Sequence, residues 1–244
     1  MMNPDKNILG VIGGLGPMAT AYFMELVTEM TDAHTDQEHL QMLIYSAPSV
    51  PDRTRYILDN TQENPLPDML RIGQLLAQQG ADRIAIPCVT AHYFFRELEA
   101  GIPVPVINGV REVARHLQQH GITKAGIMAT DGTISSQVFH RELESCGIGA
   151  IIPTAARQAD VMSLIFDDIK AGLPVDMAKF AAVAEQLREN GAQAIILGCT
   201  ELSLIKRDHA IGAGFLDAME ILAQQAIVQC GKPLKEQYRS LISR

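Results

Sequence analysis

The chain has 244 residues, 47% of them hydrophobic and 20% charged, with a formal net charge of -8 from 28 acidic and 20 basic side chains. This composition, with a mean hydropathy of +0.08, suits one large buried core or two smaller ones and excludes disorder, collagen and coiled coil. The negative balance without any Lys/Arg cluster argues against nucleic acid as a partner, and no run reaches the roughly 18 to 20 apolar residues that span a bilayer, so no membrane partner is expected.

At the N-terminus, Lys6 followed by the apolar run 8–23, with small residues at Ala19 and Ala21, has the outline of an export signal. Four glycines and Pro17 interrupt that run, which favours a buried strand entering a turn. Four cysteines are too sparse for a disulfide scaffold; together with the rejected export signal they predict a cytoplasmic, reducing setting with free thiols. The absence of Trp and an aromatic content of 5% leave little for stacking platforms, so a site must be built from small polar groups.

Along the chain, short apolar runs predict strands over 8–12, 41–46, 83–87, 106–107, 125–129, 150–152 and 194–197. Helical spacing of apolar residues predicts helices over 19–31, 67–79, 110–120, 135–145, 159–171 and 177–190, several ending at a glycine. This alternation means an α/β fold with mainly parallel sheets. No low-complexity linker divides the chain, so a domain boundary must be a tight crossing near Asn108 and Gly109.

An internal repeat sharpens that expectation. Gln79-Gly80-Ala81-Asp82-Arg83-Ile84-Ala85-Ile86-Pro87-Cys88 matches Asn190-Gly191-Ala192-Gln193-Ala194-Ile195-Ile196-Leu197-Gly198-Cys199 at Gly, Ala, Ile, an aliphatic and Cys, and each Cys is followed by a Thr, Thr90 or Thr200. A weaker echo sets Gly10-Val11-Ile12 through Gly16 and Phe23 against Gly126-Ile127-Met128 through Gly132 and Phe139. The offsets of 111 and 116 residues fit two equivalent halves with one small insertion. Two pseudo-symmetric doubly wound domains are therefore expected: 1–108 joined by 216–244, and 109–215, with a helix after Phe215 returning to the first half. Ligands of open α/β sheets bind at the carboxyl ends of strands, so facing halves would set Cys88 and Cys199 across one cleft.

A cysteine pair at a cleft means a disulfide, a metal site or catalysis. Metal is the weak option, because the nearest His to either Cys is His92, four residues past Cys88. A disulfide gives no reason for the Thr beside each Cys. A two-base reaction does: one thiolate removes a proton from a tetrahedral carbon and the opposite thiol delivers one to the other face. A thiol near its unperturbed pKa of about 8.5 serves as acid or base at cellular pH, and neighbouring hydroxyls and backbone N–H groups would hold the developing charge.

The motifs Gly13-Gly14-Leu15-Gly16-Pro17-Met18-Ala19-Thr20, Pro51-Asp52-Arg53, Pro87-Cys88-Val89-Thr90-Ala91-His92 and Leu197-Gly198-Cys199-Thr200-Glu201, spread over nearly the whole chain, resemble the cofactor-independent aspartate/glutamate racemases. The resemblance implies an isomerase that needs no pyridoxal phosphate or metal, acts on a small acidic amino acid and works as a homodimer. It implies Cys88 and Cys199 as catalytic acid and base, Arg53 and Lys170 as ligands of the distal carboxylate, and Thr90 and Thr200 as α-carboxylate contacts. One position departs: where the family usually has Cys-Asn-Thr, this chain has Val89, whose side chain makes no hydrogen bond, a loss worth roughly 1 to 3 kcal/mol. A weak or silent small-acid binder, or a dicarboxylate isomerase such as a maleate isomerase using one Cys as nucleophile, are the alternatives this substitution keeps open.

Other features read more simply. Gly14-Leu15-Gly16-Pro17-Met18-Ala19 satisfies a dinucleotide fingerprint, but the acidic residue that should close the second strand falls near Ser46. The glycines, Gly14 among them, are expected to bring a helix N-terminus to a small anionic ligand, with Pro17 in the first helical turn. His92 is expected to orient a loop or to be a helix N-terminal residue, His116 and His120 to be surface residues at a helix end, and Cys146 and Cys230 to be buried or idle thiols.

Overall fold

A computed structural model describes residues 7–243; Lys6 lies outside the described residues. The first half begins with β1 (Ile8–Gly13), α1 (Pro17–Met30), β2 (Gln41–Ser46), α2 (Arg53–Leu58), α3 (Leu66–Gln78), β3 (Arg83–Ala85), α4 (Phe95–Gly101) and α5 (Gly109–Gln119). The second continues with β4 (Lys124–Met128), α6 (Asp131–Ser135), α7 (Val138–Ser145), β5 (Gly149–Ile151), α8 (Ala155–Ser163), α9 (Met177–Glu189), β6 (Ala194–Leu197), α10 (Thr200–Asp208), β7 (Phe215–Asp217) and α11 (Ala218–Gln229). No helix among the described residues is long and apolar enough to cross a membrane.

Two parallel sheets result, ordered β2-β1-β3 and β5-β4-β6-β7. The protein is thus α/β with two doubly wound halves, and the repeat is visible in space. β1 and β4 are the central strands, each with its next strand on one side and the cysteine-bearing strand on the other. At the fourth position the halves differ: Val106 makes only a parallel bridge to Ile84, where β7 pairs fully with β6.

The strand expected over 83–87 stops at Ala85 because the chain turns, Cys88 N–H bonding to Ile86 O at 2.7 Å, and Pro87 has no N–H for a ladder. The helix expected over 135–145 is broken at Gln137, whose φ of 56° is left-handed. The helix expected over 159–171 starts earlier, as α8, and runs into a π-helical turn, Leu164–Ile169. Pro17 opens α1 as expected. α2, α4, α10 and β7 carry too few periodic residues to be read from the sequence.

α5 and α11 bind the halves together. Each follows the fourth position of its own sheet and starts at a side-chain cap, Asn108 or Asp217. Each then crosses: α5 packs on α7, α11 packs on α1, and the two pack on each other. Their shared core includes Phe23, Val113, Leu117, Phe139, Leu222 and Ile227, all buried. Fully burying such side chains contributes about 1.5 to 3 kcal/mol each, so this crossing fixes how the two carboxyl-end loop sets face one another.

His116 departs from expectation. It is buried, 6% exposed, and its Nε2 accepts the Leu241 N–H at 3.3 Å, because the C-terminal segment folds back over α5. Cys230 is buried at the end of α11, and burial pushes its thiol up to about 11, so it is inert at neutral pH.

Candidate active site

Each cysteine stands where a buried strand gives way to a helical segment. Cys88 follows β3, in extended conformation, and caps the 3-10 turn Val89–Phe94; Cys199 follows β6, also extended, and caps α10. Both are reduced and buried, 7% and 8% exposed. They border one narrow cavity, together with Arg53, Val89, Thr90, Lys170 and Thr200. Seven of the eight residues singled out from the sequence are therefore brought together.

Gly14 is not among the lining residues, which corrects its expected role. Its φ of +84° lets the β1–α1 loop pass against the β2–α2 loop, where a Cβ would lie 2.2 Å from the Ala47 nitrogen. Its N–H donates to Thr20 Oγ1 at 2.8 Å rather than to a ligand. The neighbouring Leu15 lines the cavity instead.

Arg53 is 8% exposed and held rigidly. Nη1 donates to the Val50 and Pro51 carbonyls at 3.2 and 3.0 Å, and Nη2 to the Leu15 carbonyl at 2.7 Å. Among the described residues its buried Nε has no partner, and no carboxylate pairs with it. A buried cation in that condition is a site for an anion.

Lys170, by contrast, is already paired. The π-helical turn, closed by Lys170 N–H on the Ile165 carbonyl at 3.0 Å, delivers it to Glu201, with Nζ 3.0 Å from Oε1. Burial works against its charge, but Glu201 outweighs that and raises its pKa. Glu201 Oε2 accepts the Cys199 thiol at 2.9 Å and the Thr200 hydroxyl at 3.2 Å. Burial first, then the Glu201 charge and hydrogen bond, push the Cys199 thiol well up.

Thr90 belongs to a hydroxyl network. Its Oγ1 is 3.2 Å from Thr130 Oγ1 and 3.0 Å from Thr133 Oγ1, and Thr54 reaches Thr130 at 3.3 Å. Sequence reasoning passed over Thr54, Thr130, Phe166 and Glu201. Thr130 was within reach: the 116-residue offset that aligns Gly16 with Gly132 sets Thr130 opposite Gly14, so the β4–α6 loop had to approach the cleft.

A second, narrow and largely apolar chamber shares Cys88, Val89, Cys199 and Thr200 with the first and adds Leu197, Met219 and Leu222. His92 borders it, fully committed: Nδ1 lies 3.1 Å from the Cys88 carbonyl and Nε2 accepts the Gly109 N–H at 3.1 Å. Burial lowers its pKa, so the ring is neutral. No group of three or more His, Cys, Asp or Glu among the described residues is arranged to hold a metal ion.

Two facing α/β halves each supply a cysteine to one cavity, beside a buried arginine that pairs with no carboxylate among the described residues. The family described as Asp/Glu/Hydantoin racemase matches residues 12–226, and the chain belongs to it. It is 27% identical over 228 residues to the broad specificity amino-acid racemase RacX of Bacillus subtilis (strain 168), covering 90% of this chain and 96% of that protein. Among solved structures it is similar to Picrophilus torridus aspartate racemase, at a TM-score of 0.83 and 31% identity over 96% of this chain and 99% of that one. An aspartate racemase homologue from Pyrococcus horikoshii OT3 shares the fold at a TM-score of 0.74 and 22% identity, over 92% of this chain and 99% of that one.

Proposed function

We propose that the protein inverts the α-carbon of a small acidic amino acid, aspartate, glutamate or a close relative, by proton transfer between Cys88 and Cys199 without a cofactor. The observation that carries this is the shared cavity: two buried thiols from equivalent positions of the repeat, beside the Arg53 guanidinium, whose Nε has no partner and which pairs with no carboxylate among the described residues. In this reaction one cysteine, as thiolate, takes the α-proton while the other, as thiol, gives its proton to the opposite face. The electron pair freed from the C–H bond rests on the α-carbon and its carboxylate until the second proton arrives.

Arg53 supplies the fixed positive charge for a substrate carboxylate, and its three carbonyl partners hold it in place before substrate arrives, so little reorganisation is needed. Thr90 and Thr200 offer hydroxyls at the cysteines' own helical turns. Lys170 is a second carboxylate ligand that must first leave Glu201. The largely apolar chamber beside the thiols strengthens charge interactions in the cavity by excluding water. The homodimer implied by the resemblance belongs to the same proposal.

A second reading, inversion of amino acids with uncharged side chains, is favoured by two observations: Lys170 is already neutralised by Glu201, and Val89 opens onto the apolar chamber. The similarity to a broad specificity racemase is consistent with it. Proton NMR in heavy water on a panel of L- and D-amino acids separates the readings, with Cys88→Ala and Cys199→Ala beside the wild type. Exchange and inversion of aspartate or glutamate, lost in both variants, supports the first reading; inversion confined to uncharged side chains supports the second. No exchange across the panel from folded, reduced protein overturns both.

A further inference from the structure

The thiols of Cys88 and Cys199 hold equivalent places in the two halves yet meet unlike surroundings. Two residues beyond Cys199 stands Glu201; two beyond Cys88 stands Thr90, whose hydroxyl is held by Thr130 and Thr133. The Cys199 sulfur donates to Glu201 Oε2 at 2.9 Å, whereas the Cys88 sulfur makes no hydrogen bond among the described residues. Glu201 is 5% exposed, so it is not a solvated acid of a helix face. Its cation among the described residues, Lys170, keeps 32% of its side chain exposed at the edge of the cavity.

A carboxylate beside a thiol acts in one direction. It accepts the S–H proton and repels the thiolate, and low surrounding polarity magnifies both effects. We propose that Glu201 is a positioning residue that keeps the proton on Cys199, making Cys199 the resting donor and Cys88 the resting acceptor, with Lys170 tempering that bias by balancing the carboxylate. This rests on the two-thiol reading above.

The step then balances as follows. The substrate C–H bond breaks and its proton forms an S–H bond on Cys88, the electron pair staying on the substrate. The S–H bond of Cys199 breaks, its proton forms the new C–H bond on the opposite face, and the Cys199 sulfur keeps the pair as a thiolate. That thiolate lies against the Glu201 carboxylate, so the enzyme returns to rest when Cys199 takes a proton from water and Cys88 gives one up. The enantiomer whose α-hydrogen faces Cys88 meets an enzyme already in the correct state; its mirror image meets one that must first exchange protons.

Other charged and titratable groups near this site are already committed. Asp52 caps α2 through the Arg55 N–H, Arg53 is held by carbonyls, and His92 is neutral and doubly bonded. Farther along α10, Lys206 pairs with Glu220 of α11 at 2.6 Å, and Ser203 bonds Asp217 at 2.7 Å. Glu201 is thus the acid in contact with the Cys199 sulfur, and Lys170 the base in contact with Glu201.

The test reads each thiol separately and needs no substrate. Iodoacetamide alkylation of the full-length protein is followed from pH 6 to 11, with Cys88 and Cys199 peptides quantified by mass spectrometry. In Glu201→Gln, which keeps an oxygen to accept the S–H, the Cys199 midpoint is expected to fall by about one pH unit, equal to about tenfold more thiolate at a given pH. In Lys170→Met it is expected to rise, and in both variants the Cys88 midpoint should move much less. An unchanged Cys199 midpoint in Glu201→Gln, or equal movement of both thiols, overturns the proposal. Should Glu201→Gln fail to fold by circular dichroism, Lys170→Met decides alone: a rise at Cys199 supports the proposal and no change overturns it. Failure here leaves the racemase reading untouched, because that reading stands or falls on α-hydrogen exchange.

Discussion

His92 fastens the backbone of Cys88 to the start of α5, its Nδ1 3.1 Å from the Cys88 carbonyl and its Nε2 accepting the Gly109 N–H at 3.1 Å. Both nitrogens are used in one neutral tautomer, Nδ1 donating and Nε2 accepting, and burial keeps the ring uncharged. One cysteine is thereby tied to the helix that crosses between the halves. Replacing His92 with Ala strands the Gly109 N–H and releases the Cys88 loop, so stability should fall by about 1 to 3 kcal/mol. Racemisation should fall about tenfold while the shape of its pH profile is kept. Urea unfolding and exchange rates from pH 6 to 9 check this; a profile that loses one limb would instead make His92 a proton carrier.

Arg53→Lys should be poorly tolerated in spite of the retained charge. An ammonium cannot serve the Val50, Pro51 and Leu15 carbonyls and a ligand with one planar set of donors. The expected result is a kcat/KM about a hundredfold lower, roughly 2.7 kcal/mol of transition-state stabilisation, with most of the change in KM. Steady-state kinetics on aspartate decide it, and wild-type KM would remove Arg53 from the carboxylate site.

Val89 borders both the polar cavity and the apolar chamber. Val89→Asn restores a hydrogen-bonding side chain there, and its ratio of aspartate to leucine turnover should rise by about tenfold, near 1.4 kcal/mol of discrimination. Competition assays with both amino acids present give that ratio directly, and an unchanged value would show that Val89 does not set specificity.

At Gly132 a Cβ would lie 2.9 Å from the Thr54 Cα, at the contact between α2 and α6 that joins the halves beside the cavity. Backbone cannot yield there as a flexible side chain does. Gly132→Ala should therefore cost about 1 to 3 kcal/mol and disturb the Thr54–Thr130 contact. A thermal midpoint equal to wild type would mean that the halves open freely at this seam.

Burial, with the charge of His120 adding, lowers the His116 pKa to about 4 from a usual 6.5. Between those values the unfolded chain binds the proton and the folded protein does not. Stability from this group is therefore complete above pH 6.5 and declines as pH falls towards 4, by on the order of 3 kcal/mol. His116→Gln, whose amide oxygen can accept the Leu241 N–H, should flatten the decline. Urea midpoints at pH 4.5 and 7 for the two proteins test it, and identical declines would place the titrating group elsewhere.

Much of the architecture was legible because its signals are local. Strand and helix periodicities over 41–46, 177–190 and 194–197 match the structure to within a residue, since continuous apolar runs and amphipathic spacing are the forces that make those elements. The repeat around Cys88 and Cys199 was legible for the same reason: equal spacing from equivalent buried strands leaves little freedom in where each chain emerges.

What the sequence determined by itself was the alternation of strand and helix, the duplication, and the placing of a cysteine and a threonine at the end of one strand in each half. Only the tertiary structure decided which neighbours those groups keep. The crossing of α5 and α11 sets one half against the other through apolar burial between residues far apart in the chain. The π-helical turn alters the helical phase so that Lys170 reaches Glu201, and the loop passing at Gly14 leaves Leu15, not Gly14, at the cavity. Hydrogen bonds and ion pairs such as Cys199 to Glu201 to Lys170 act over about 3 Å, and which groups come that close is settled by packing across the whole fold.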